Sequence, residues 1–195
     1  MTERVYFGEN AVDIFIMKIN DLQAAPITNA TRAEYIARAT DERTRCERRA
    51  AWQLLAVALR ESRGIDLSDI EIIREECGRW TSPAVCFSLS HTRDIVAVAL
   101  ADVPVGIDIE EIKERDMTAL SRRALTDGER EELESLRGED RLTRFYEIWC
   151  KKEAYFKTLG SDAFLPNRVD STKANAQSNV VEIEGRRFAV AVAAG

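Results

Sequence analysis

Val105-Gly106-Ile107-Asp108-Ile109-Glu110, VGIDIE, alternates apolar and acidic residues after a glycine. Val105, Ile107 and Ile109 are apolar and β-branched, so the segment reads as a strand. Side chains alternate faces, which puts Asp108 and Glu110 together on the side opposite Ile107 and Ile109. A solvated strand face is one explanation for two such carboxylates. Gly106 points to another, because a glycine in a strand marks the close approach of a ligand or a second backbone. Two carboxylates about 5 Å apart repel by roughly 3 kcal/mol at an effective dielectric near 20. A pocket holding both needs a proton, a basic side chain or a divalent cation to neutralise them. Hard oxygen donors with no histidine beside them favour magnesium over zinc.

Outward from this strand the chain repeats an order of elements. Toward the N-terminus, AVDIFIMKI reads as a strand and residues 25–31, APITNAT, as a loop. Thr31 to about Arg63 reads as one helix with an apolar stripe through Trp52, Leu55, Val57 and Leu59, ended by Gly64. DIEIIREE alternates as a short strand, and AVCFSLSHTRDIVAVALAD reads as a hairpin turning at SHTRD. Toward the C-terminus, helices are predicted over Met117–Leu125, Asp127–Leu136 and Glu139–Leu159. Then come a loop-rich stretch, GSDAFLPNRVDSTKANAQSN, and a closing hairpin turning near Glu184-Gly185. DIVAVALAD in the first hairpin echoes RFAVAVAAG in the second, each preceded by a long helix. The organisation expected is α+β, two similar lobes over 1–103 and 104–195.

Composition narrows the function. The 195 residues are 45% hydrophobic and 32% charged, enough for a core under a well-solvated surface. A net charge of -6 argues against a generic nucleic-acid binder. Cys46, Cys77, Cys86 and Cys150 form no C-x-x-C pair and there is a single histidine, so no ordinary zinc site is expected and the thiols read as reduced. There is no basic-then-apolar leader and no run of about 20 apolar residues. The expectation is a soluble cytoplasmic protein with no membrane association.

Two further motifs carry chemistry. In FYEIWCKKEAYFKTLG, Trp149, Glu153 and Lys157 are spaced by four and line one side of a helix. Glu153–Lys157 is either an ordinary surface ion pair or a third oxygen donor beside a cation that meets an anion. In FSLSHTRD, Ser90 and His91 are adjacent, so on a strand they point to opposite faces and cannot act as nucleophile and base. With no G-x-S-x-G and no glycine-rich phosphate loop, serine-hydrolase and P-loop chemistry are excluded. A hydroxyl, an imidazole and an arginine remain a way to grip phosphate, although a lone histidine is more often structural.

Taken in order, Ser88-Leu89-Ser90-His91, Val105–Glu110 and Trp149–Lys157 resemble the 4′-phosphopantetheinyl transferases of the surfactin-synthetase-activating type. The resemblance implies a pseudo-dimer of two lobes, each a small antiparallel sheet packed with a long helix, with the active site in the cleft between them. It also implies a monomer with internal pseudo-twofold symmetry. The implied reaction moves the phosphopantetheine arm of coenzyme A onto a serine of an apo acyl or peptidyl carrier protein and releases 3′,5′-ADP. Asp108, Glu110 and Glu153 fall on the family's magnesium ligands, a site that would also accept manganese. Asp108, Glu153 and Lys157 are the implied catalytic residues, with Glu153 also the family's candidate base. Arg49 (or Arg48 in the adjacent register), Arg79, Ser90, His91, Lys152 and Lys157 fall on coenzyme A contacts, His91 at the 3′-phosphate. Two features depart from the pattern. Trp80 replaces the proline of a glycine-basic-proline motif, which weakens the transfer at Arg79, and the loop after Gly160 lacks a second glycine. Arg115, Arg122 and Arg123 are candidates for a basic carrier-docking face, or simply a solvated helix face. A magnesium-dependent phosphohydrolase acting on a nucleotide-type pyrophosphate and a non-catalytic carrier-binding module are the competing functions.

Overall fold

The computed structural model describes residues 1–22, 27, 29–160 and 164–195. The loop expected over 25–31 and the departure after Gly160 therefore lie partly outside the described residues. The chain divides into two compact units, Met1–Asp102 and Val103–Gly195. No described helix is long and apolar enough to cross a membrane.

The first unit contains β1 (Thr2–Phe7), β2 (Asn10–Lys18), α1 (Ala30–Ala37), α2 (Glu42–Arg63), β3 (Ile73–Arg74), β4 (Trp80–Thr81), β5 (Cys86–Thr92) and β6 (Ile95–Ala101). Its main sheet is antiparallel in the order β1-β2-β6-β5. Phe15, Phe87, Val96, Val98 and Leu100 meet Trp52, Leu54, Leu55, Ala58 and Leu59 of α2 in its core. The single helix expected over 31–63 is two helices. Asp41 caps α2, its carboxylate accepting the Thr44 N–H at 2.8 Å, and a cap requires the non-helical backbone found there. Within the stripe, Trp52, Leu55 and Leu59 are buried, while Val57 is only half-buried. Gly64 ends the helix in the left-handed conformation at φ 66°. DIEIIREE contributes only the two residues of β3.

The second unit contains β7 (Val105–Glu111), α3 (Thr118–Ala124), α4 (Asp127–Ser135), α5 (Gly138–Leu159), a 3-10 turn (Pro166–Arg168), β8 (Ala176–Ile183) and β9 (Arg186–Ala194). Its antiparallel sheet runs β7-β9-β8. The three helices fall where the sequence places them, and β8 begins four residues before the predicted hairpin. Phe145, Tyr146, Ile148, Cys150 and Ala154 of α5 pack on Ala189, Ala191 and Ala193 of β9. The small alanines let the helix lie close to the strand.

Both units follow one connectivity: a strand, a 22-residue helix closed by a left-handed glycine, then a hairpin whose second strand pairs back with the first. The ladders close on the pairs Val12–Ala101 and Val105–Ala194. Counted from those pairs, Asp108 corresponds to Phe15 and Glu110 to Met17. Counted back from Gly160 and Gly64, Glu153 corresponds to Val57 and Lys157 to Glu61. The acids of the second unit thus have apolar counterparts in the first.

Candidate active site

Ladder register orients the acids of VGIDIE in the second unit. Gly106, Asp108 and Glu110 pair with Ala193, Ala191 and Ala189, the alanines that face α5. The two carboxylates of VGIDIE therefore turn toward the helix. Gly106 makes this possible: a Cβ there would lie 1.9 Å from the Ala154 carbonyl oxygen and 3.0 Å from the Lys157 Cβ. The close approach marked by the glycine is that of the α5 backbone itself.

Lys157, one turn after Glu153, donates to the Ile107 carbonyl at 2.7 Å and to Asp108 Oδ1 at 3.0 Å. The surface ion pair Glu153–Lys157 allowed by the spacing is not the pairing found. Burial, and next the negative charge of Asp108, raise the Glu153 carboxyl to about 7, with Lys157 opposing and Glu110 adding to the rise. Three acids thus share one field with a single ammonium. Cys150, buried beneath them with its Sγ 3.5 Å from the Ala189 oxygen, has its thiol pushed far up, first by desolvation and then by Asp108 and Glu110. It is no nucleophile.

The chemistry of this donor set fits a hard divalent cation, since half-buried carboxylate oxygens outnumber the neutralising charge. Among the described residues, no group of three or more acidic, cysteine or histidine side chains is arranged so that it could hold a metal ion as it stands. A cavity of about 950 Å³ in the same unit is lined by Glu111, Lys113, Arg115, Met117, Arg186 and Arg187 among others, and by none of Asp108, Glu110, Glu153 or Lys157.

The resemblance puts Lys152 on coenzyme A, but its side chain is fully buried, and its ammonium donates to the Ala124 oxygen at 2.7 Å, Glu129 at 2.5 Å and the Pro166 oxygen at 2.9 Å. All three of its donors are spent inside the protein. One helical residue from Glu153, it points into the core.

In the first unit, Ser90 and His91 lie within β5, because the hairpin turns tightly at Arg93-Asp94 and not across SHTRD. Ser90 is buried and His91 is exposed, on opposite faces as expected. Arg49 is exposed on α2. Arg48, the other register, stacks over Tyr35 at 4.2 Å and donates to its carbonyl at 2.7 Å. That commits Arg48 to structure and favours Arg49. Arg79 makes a two-pronged pair with Glu75 at 2.8 and 3.0 Å.

Comparisons with known proteins identify the chain's relatives. A family model of the 4′-phosphopantetheinyl transferase superfamily matches residues 104–193, the segment that carries all three acids and Lys157. The 4′-phosphopantetheinyl transferase AcpT of Salmonella typhimurium is 37% identical over 137 residues, 67% of this chain and 69% of that protein. AcpT of Escherichia coli K12 is 32% identical over 168 residues, 82% of this chain and 78% of the relative. The chain belongs to the 4′-phosphopantetheinyl transferase superfamily. The 4′-phosphopantetheinyl transferase psf-1 of Bacillus pumilus is 42% identical over 78 residues, 40% of this chain and 33% of that protein. The protein is accordingly a transferase, and its family implies coenzyme A as substrate and a carrier protein as partner.

Two residues of this transferase escaped the sequence reading. Ala154 supplies the backbone against which Gly106 packs, a role no side chain announces. Glu47 of α2 is buried and lies beside His91, with its Oε2 3.4 Å from Nδ1. Its signal was faint: an acid in CERRAAW at the edge of the buried stripe, one turn and a residue before Trp52.

Proposed function

We propose that the protein transfers 4′-phosphopantetheine from coenzyme A to a serine of an apo acyl or peptidyl carrier protein, releasing 3′,5′-ADP, with magnesium required. The observation that supports this reading is electrostatic: Asp108 and Glu110 of β7 and Lys157 of α5 all act on the Glu153 carboxyl, and Lys157 donates to Asp108 at 3.0 Å. Asp108, Glu110 and Glu153 are the residues that would hold the cation. When bound, it supplies charge neutralisation at the pyrophosphate and orients the bond to be cut.

The chain's own groups supply the rest. Glu153 accepts the proton of the carrier serine as its oxygen attacks the phosphorus on the pantetheine side. The new P–O bond forms while the bond to the 3′,5′-ADP oxygen breaks. Lys157, tethered to the Ile107 carbonyl and Asp108, presents its ammonium to the negative charge on the phosphates. Arg49, Ser90 and His91 bind the nucleotide end of coenzyme A, His91 taking the 3′-phosphate. Arg79 joins them by giving up part of its pairing with Glu75. The two units share one connectivity, which supports reading them as related halves.

The test is the intact mass of an apo carrier protein incubated with the protein, coenzyme A and magnesium. One phosphopantetheine is added per carrier, and chelation of the metal abolishes the addition. Hydrolysis of coenzyme A with the carrier unchanged would refute the transfer.

A further inference from the structure

Acids on a solvated helix normally stay in water. Arg43 and Glu47, one turn apart on α2, form what the sequence alone would class as a surface ion pair, Nε to Oε1 at 2.8 Å. The two side chains are treated very differently. Arg43 is 68% exposed, whereas Glu47 is 7% exposed. Its second oxygen lies 3.4 Å from Nδ1 of His91, the only histidine of the chain, whose ring is 38% exposed.

Burying a carboxylate is costly unless cations satisfy it. An exposed pair with Arg43 would not require the burial, so the contact with His91 is what the buried position adds. A carboxylate at one ring nitrogen fixes which nitrogen carries the proton and the plane in which the ring lies, as carboxylates do behind metal-bound histidines. The residue paired with His91 across the ladder is Val96, so the neighbouring strand offers no competing charge at that position.

We propose that Glu47 is a positioning residue that holds the His91 ring for the 3′-phosphate of coenzyme A. The inference rests on the transferase reading of the site and assigns Glu47 no contact with substrate. Its specific consequence is discrimination: Glu47 matters only for a substrate that carries the phosphate His91 grips.

The test compares coenzyme A with 3′-dephospho-coenzyme A as donors to an apo acyl carrier protein, for the wild-type protein, Glu47→Gln, Glu47→Asp, His91→Ala and the double variant Glu47→Gln/His91→Ala. Glu47→Gln raises KM for coenzyme A by about tenfold, the effect of weakening one hydrogen bond to a charged group, and leaves KM for the dephospho donor within about twofold of wild type. Glu47→Asp, which keeps the charge on a shorter arm, gives an intermediate KM. In the His91→Ala background, Glu47→Gln adds nothing further, because the group through which it acts is gone. Thermal melting of each variant reports on folding. An equal rise of KM for both donors, or additive effects of the two substitutions, would make Glu47 merely structural and overturn the inference. An unchanged KM for coenzyme A in Glu47→Gln would overturn it too. Absence of transfer by the wild-type protein would instead remove the function itself, a result distinct from either.

Discussion

Lys152 and Lys157 are five residues apart on α5 and have opposite fates. Lys157 reaches the edge of β7, where its side chain is 27% exposed and its ammonium lies beside Asp108. Lys152 is turned into the core, where burial lowers its pKa and Glu129 pulls the other way. Burial raises the Glu129 carboxyl, but Lys152 and the Ser171 and Thr126 N–H groups outweigh it, leaving the acid below its usual range. Glu129 also closes the capping box of α4 with Thr126, so this one pair ties α5 to the start of α4 and to residues 166–171. Removing one partner of such a pair strands a buried charge. Lys152→Met is therefore expected to lower stability by about 3 kcal/mol or more, measured by denaturant unfolding, with KM for coenzyme A unchanged in the folded protein. A large rise in KM without loss of stability would return Lys152 to the substrate site.

At the scale of elements, β7 and α5 act as one piece because Gly106 has no side chain. Gly106→Ala would drive a methyl group to 1.9 Å from the Ala154 oxygen, which is backbone and cannot swing aside. The expected cost is about 3 kcal/mol, with transfer activity falling alongside the melting temperature as Asp108 is levered from Lys157. Unaltered melting and activity would show that the strand and helix are not held this closely. A second tie joins β1, β2 and α2 at Asp13. Burial would raise this carboxyl, but Arg4 at 2.5 Å, Ser62 and Arg63 at 2.5 Å hold it down at about 2. A carboxyl lowered on folding contributes stability above its unfolded pKa and loses it as pH falls through the folded value. Asp13→Asn should thus cost roughly 2 kcal/mol at neutral pH, in a gap that closes between about pH 4 and pH 2. A gap of constant size across that range would contradict the assignment. Much of this level was legible in the sequence. Period two put Asp108 and Glu110 on one face, period 3.6 lined up Trp149, Glu153 and Lys157, and Gly64 stopped its helix. The break at Asp41 was hidden because residues 31–63 carry helical patterning with no proline or glycine inside. The hairpin turn was overestimated because Ser90, His91 and Thr92 are polar yet sit in β5.

For the whole molecule, the alanine-valine echo between the hairpins was a trace of a shared connectivity, strand, helix and returning hairpin, in both units. What sequence patterning could not supply was which side chains meet, since contacts such as Lys152–Glu129, 23 residues apart, and His91–Glu47 depend on packing. The register also shows that the shared connectivity does not repeat the acids. Phe15, Met17 and Val57 replace Asp108, Glu110 and Glu153, and Glu61 reverses the charge of Lys157. The transferase reading depends most on the acids of the second unit. Its most direct test is the initial rate of carrier modification, followed by intact mass, for Asp108→Ala and Glu153→Gln at saturating coenzyme A and magnesium, with circular dichroism as the control for folding. The account predicts folded variants slowed at least about a hundredfold. Folded variants that modify the carrier at the wild-type rate would contradict it.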